Sequence, residues 1–160
     1  MGKMNVAQNI HIVPIRATTQ DTASFVAPHV NMKQYEKVEF IVYFGAIATD
    51  GFTMTVTQSA VTAGSTSTAI AARYRLTAAA GTDTMGATTT LASTGLDVVE
   101  TGAYDLMTLI VDVDSSDLTT ADKPYVGLTF TDPGTADQIS TIIALCWPKY
   151  PKETNANALT

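Results

Sequence analysis

The chain has 160 residues, 46% hydrophobic and only 15% charged, with a formal net charge of -6 and a pI near 4.6. That length suits one domain whose core needs no staples. The acidic balance argues against nucleic acid and anionic membranes as partners, because the basic residues, Arg16, Lys37, Arg73, Lys123 and Lys152 among them, are scattered rather than clustered.

Met1 to Gln8 is polar and lacks the apolar run of a signal peptide, so a soluble protein made in the cytoplasm is expected. Asn9 to Arg16 alternates as a strand, with His11 on its polar side, and Pro14 places it at a sheet edge. His29 falls in a loop, and Gln34 to Glu36 reads as a short helical turn. Val38 to Ala46 is apolar on both sides, which predicts a central strand buried on both faces. Thr49-Asp50-Gly51 then signals a hairpin. It leads into Phe52 to Gln58, with Phe52, Met54 and Val56 facing the core and Thr53, Thr55 and Thr57 facing out.

Ala60 to Ser67 is a loop of small residues, Ala69 to Leu76 a strand with Arg73 and Arg75 on one side, and Thr77 to Ser93 a loop or a pair of weak strands. Leu106 to Val113 is a strongly apolar strand, followed by a turn region that Pro124 closes. Tyr125 to Thr131, the turn Asp132-Pro133-Gly134 and a last strand from Ile139 to Trp147 complete the body. About six to eight strands at this spacing make an all-β antiparallel β-sandwich, jelly-roll-like, with extended N- and C-terminal arms. The expected division is an N-terminal arm with the first edge strand over 1–20, the sandwich over 21–147, and a C-terminal arm over 148–160.

Chemistry-bearing patterns are sparse. The single cysteine, Cys146, excludes an intrachain disulfide and reads as a small core hydrophobe. Neither histidine stands at metal-ligand spacing with it. Asp112, Asp114 and Asp117 form the densest carboxylate group, but the glycine and closing glutamate of a calcium loop are missing. They read as a strand end and turn bonded to the local backbone, with a weak cation site as the alternative. No nucleophile elbow or phosphate loop occurs, and nothing selects a general acid and base among the 15 acids. No catalytic residue and no cofactor are therefore expected. Trp147, Tyr150, Tyr125, Tyr104 and Tyr74 suit a core or an interface better than a sugar platform.

The strand Val38 to Ala46, the alternating Phe52 to Thr57, then Tyr104-Asp105-Leu106, Val111 to Leu118 and Tyr125 to Leu128, in that order, resemble small head proteins of tailed bacteriophages, including capsid decoration (cement) proteins. The resemblance covers roughly 30–147 and carries no active-site residues. It implies a structural protein on the outer capsid surface of a virion, bound across subunits of the major capsid protein and forming a homotrimer. On that reading the two arms make the inter-subunit contacts, with Ile10, Ile12, Arg16, Trp147, Tyr150 and Leu159 as candidate partner-binding residues. The rival expectations are a carbohydrate- or host-surface-binding module and another virion part, such as a tail or head-completion subunit.

Overall fold

The computed structural model describes residues 9–47, 51–99, 103–134, 138–150 and 157–160. They form two antiparallel sheets packed face to face, a β-sandwich. The first sheet is built from β1 (His11–Asp21), β4 (Tyr35–Ile47), β7 (Ala72–Leu76), β8 (Thr89–Leu91), β10 (Thr108–Asp114) and β12 (Gln138–Pro148), in the order β1-β12-β4-β10-β7-β8. The second holds β2 (Phe25–Val26), β5 (Phe52–Ser59), β6 (Thr68–Ala69) and β11 (Tyr125–Phe130), in the order β2-β11-β5-β6. In that sheet β3 (Val30–Asn31) also pairs with β11, and β9 (Leu96–Val98) with β5.

The period-2 pattern of the long strands decides what lies between the sheets. Phe40, Val42 and Phe44 of β4, Leu109, Val111 and Val113 of β10, and Ile142, Ala144 and Cys146 of β12 are fully buried. They meet Met54 and Val56 of β5 and Val126, Leu128 and Phe130 of β11. Phe44 of the first sheet meets Phe52 of the second (centroids 5.9 Å apart), and Phe52 meets Phe130 within the second sheet (also 5.9 Å). Cys146 is a core residue, and burial pushes its thiol up to about 12, so it stays protonated and inert.

Pro14 lies on β1, an edge strand, where the donor it lacks is not required by a further neighbour. A register shift follows it between Pro14 and Arg16, so β1 pairs irregularly along β12.

Several expectations are corrected. Thr49 and Asp50 of the expected hairpin turn lie outside the described residues, and the strands on either side do not pair as a hairpin, because β4 and β5 belong to different sheets. The apolar faces of both strands must reach one core, and that outweighs the local turn signal. Ala69 to Leu76 is likewise divided, with β6 in one sheet and β7 in the other. Gln34 to Glu36 is not helical, since β4 already begins at Tyr35. Short strands raise the number above the expected six to eight, to 12 labelled strands.

Residues 1–8 and 151–156 of the expected arms lie outside the described residues. The rest of the N-terminal segment is largely β1, fixed to β12 from His11↔Cys146 onward. The last residues of the chain turn back onto their own domain rather than outward. Ala158 is 1% exposed and its carbonyl accepts from the Asn31 N–H at 2.8 Å, while Asn31 Nδ2 donates to the Thr160 carbonyl at 2.9 Å.

Candidate docking face

The outward residues of the first sheet come from the same strands that fill the core. Pairing register places Pro14, Ile143, Ile41 and Ile110 opposite one another, so one apolar row crosses β1, β12, β4 and β10. A neighbouring row continues with Ile12 and Leu145 and then turns charged at Glu39, Asp112 and Arg73. On the other side of the apolar row lie Thr141, Tyr43 and Thr108. Ile12 is 51% exposed and Tyr43 45%, and Ile41, Ile110, Ile143 and Leu145 are half-buried. The prediction that β4 is buried on both faces is therefore corrected. One face packs in the core, and the other opens to solvent.

The charged flank is internally paired. Glu39 and Asp112 face each other across β4 and β10. Two carboxylates so placed repel, and Lys37 resolves the conflict by reaching Glu39 Oε1 at 2.6 Å and Asp112 Oδ1 at 2.8 Å. Burial pushes the Glu39 carboxyl up despite Lys37. For Asp112 burial acts in the same direction, but Lys37 and Glu39 outweigh it and hold the carboxyl low. The Lys37 ammonium also sits 5.3 Å from the Trp147 ring centroid. Arg73 forms ion pairs with Asp114 and Asp117.

The three aspartates considered as a weak cation site thus already face Lys37 and Arg73. No group of three His, Cys, Asp or Glu suited to a metal ion occurs among the described residues. Asp117 also closes the turn by accepting from the Asp114 N–H at 2.9 Å, as local backbone bonding by a strand-end carboxylate requires.

The six residues proposed from sequence separate. Ile12 and Trp147 lie on this open face, Ile12 in the apolar neighbourhood and Trp147 beside Lys37. Ile10 is half-buried just before β1. Arg16 turns the other way, with its guanidinium 3.7 Å from the Phe25 ring centroid across the sheet edge. Tyr150 is 72% exposed beyond the end of β12, and Leu159 packs against the core. Sequence reasoning missed Ile41, Ile110, Ile143 and Leu145, whose signal was the run of consecutive apolar residues in each of their strands.

The five aromatic residues weighed as a sugar platform do not converge. Tyr74 and Tyr104 pack against the core, Tyr125 lies on the second sheet beside Asn31, and Trp147 stands on the open face of the first. A shallow depression of about 250 Å³ at the end of the second sheet is lined by Gly51, Phe52, Thr53, Asp97, Val98, Val99 and Thr131. Its single titratable side chain, Asp97, accepts from the Thr53 hydroxyl at 2.8 Å. No helix among the described residues is long and apolar enough to cross a membrane.

What the open face can do follows from its composition. An apolar row with an aromatic at its side and a charged flank has the anatomy of a protein-binding patch. No family model, curated protein or solved structure matches the chain.

Proposed function

We propose that the chain is a structural virion protein that decorates a bacteriophage capsid, binding across subunits of the major capsid protein through the open face of its first sheet. The observation that carries this reading is the apolar row Pro14, Ile143, Ile41 and Ile110, laid across four strands that are rigidly held by the core behind them. A shell-stabilising clip needs a stiff body with a preformed contact face, since flexible contacts lose affinity to ordering. The sequence stretches Val38 to Ala46, Phe52 to Thr57, Tyr104 to Leu106, Val111 to Leu118 and Tyr125 to Leu128 resemble in their order those of small phage head proteins, which directs the reading to a capsid. Attachment of one clip to several subunits makes each added contact effectively intramolecular.

The homotrimer belongs to the same proposal, and light scattering at two protein concentrations tests it. The experiment for the function itself uses particles purified from the virus whose genome carries the gene. Mass spectrometry should find the chain in them, and electron cryomicroscopy should place it at symmetry-related positions on the outer shell with β4, β10 and β12 toward the capsid protein. Absence from purified particles contradicts the reading. Saturable glycan binding by the isolated protein would favour the rival, a carbohydrate- or host-surface-binding module.

A further inference from the structure

Independently of that reading, the second sheet holds a titratable ring sealed beneath the chain's own cover. His29 is 0% exposed, yet it lies on the outward side of the sheet rather than in the core between the sheets. Beneath it is Gly127 of β11, where an added Cβ would stand 2.4 Å from Nδ1, and against it is Gly64 of the loop 60–66, where one would stand 2.5 Å from Cε1. Both positions admit the ring because they lack a side chain. Backbone bonds close the cover. The His29 N–H donates to the Thr62 carbonyl at 2.7 Å, and the Thr62 hydroxyl donates to the His29 carbonyl at 3.0 Å.

The hydrogen bonds fix the protonation state. Nδ1 is 2.9 Å from the Ala27 carbonyl, which can only accept, so Nδ1 carries the proton. Nε2 then accepts from the Thr57 hydroxyl at 2.9 Å, and Thr57 shares a further hydroxyl bond with Thr129 at 3.1 Å. Among the described residues, the ring is hydrogen-bonded by Ala27 and Thr57 and approached by Gly64 and Gly127, none of them titratable. Lys123, a charged residue tied to the same loop, is held by the Thr66 carbonyl at 2.9 Å and the Thr68 hydroxyl at 2.5 Å.

A second proton on this ring keeps its hydrogen bonds, because the threonine hydroxyls can reverse direction. It does not keep its solvation. The cation would sit in a buried site, hydrogen-bonded among the described residues to no anion. Burial accordingly holds His29 below the ordinary histidine range, against a smaller opposite pull from the Ala27 carbonyl. The cover is also the part of the molecule best placed to open. Most of the loop 60–66 is exposed, and Thr66, a β-branched residue, is held at φ 58.

We propose that His29 is a proton-sensitive latch, whose protonation releases the loop 60–66 and the segment 25–31 from the second sheet while the sandwich stays folded. Asn31, which holds the Ala158 and Thr160 carbonyls, lies within that segment, so opening also frees the end of the chain. Because the closed form disfavours the charged ring, its stability is complete above the ordinary histidine value of about 6.5 and is lost as pH falls from there toward the lower folded-state value. Within that window the opening equilibrium rises about tenfold per pH unit.

Amide hydrogen exchange read by mass spectrometry, from about pH 7.5 to about pH 4.5 and corrected for the intrinsic chemical rate, tests this. Segments 25–31 and 60–66 should lose protection about tenfold per unit below about pH 6.5, while β4 and β10 keep theirs. His29→Gln should remove the pH dependence and His11→Gln should leave it. Protection independent of pH in the unmodified protein overturns the proposal, as does loss of the dependence in His11→Gln or simultaneous opening of β4 and β10. If His29→Gln does not fold, the unmodified protein and His11→Gln decide the matter between them.

Discussion

The second sheet is finished on its outer side by its own chain, whereas the first is left open. Over β5 and β11, the His29 ring and the loop 60–66 bury Thr57, Ser59 and Gly127, and the polar groups there find partners internally. Over β1, β4, β10 and β12, Tyr43 and Ile12 remain about half exposed beside an apolar row. The covered side is hydroxyl-rich and the open side is aliphatic. A hydroxyl-bearing surface can be satisfied by short loops, whose backbone groups supply partners. An aliphatic row is not satisfied in that way and gains only from an apolar complement.

The largest break in the comparison is expected at its shared base. Phe44→Ala, on the core side of β4, should cost about 3–5 kcal/mol in denaturant unfolding. Ile41→Ala, on the open side of the same strand, should cost under about 1.5 kcal/mol, because that side chain is only partly buried. Equal losses would mean that the two faces of β4 are not different in kind.

On the covered side, Gly127→Ala pushes a methyl into the His29 ring and should cost about 1–3 kcal/mol, with the loss concentrated in segments 25–31 and 60–66. Thr57→Val removes the donor to Nε2 and should cost about 1–2 kcal/mol by leaving a buried acceptor unmatched. Hydrogen exchange localises both effects, and a global loss without local opening would contradict them.

The smallest effect belongs to the charged flank. Arg73→Met should change stability by less than about 1 kcal/mol, because the pair with Asp114 is part-exposed and screened by solvent. Unfolding measured at low and high salt checks this, and a loss well above that size would show the network to be structural.

Much of this was legible in the sequence. Strict alternation identified β5 and β11, and Pro14 marked β1 as an edge. Cys146 was readable as a core residue from its apolar run. The short strands β2, β3 and β9 were not, because two or three residues carry no period and form only where a longer neighbour offers hydrogen bonds. The crossing after β4 was hidden for a related reason, since a turn signal reports local backbone preference and says nothing of which sheet the next strand joins.

The open face was misread from a real signal. Consecutive apolar residues such as Phe40-Ile41-Val42 do indicate that both sides of a strand have apolar work, and for Val38 to Ala46 that reads as burial on both faces. No helix-period segment was available to build a layer over the second face. The same pattern is also that of a strand whose second apolar face stays partly open, as Ile41, Ile110 and Ile143 do. His29 was legible only as a loop residue, because its burial depends on glycines at 64 and 127, far apart in sequence.

The most direct test of the docking face is a binding measurement with the variant Ile41→Lys/Ile143→Lys. Particles stripped of the chain are mixed with unmodified or variant protein, and occupancy is read after sedimentation, with unfolding curves confirming that both proteins are folded. The account predicts saturable occupancy for the unmodified protein and at least a tenfold loss for the folded variant, equivalent to about 1.4 kcal/mol or more. Undiminished occupancy by the folded variant would contradict it.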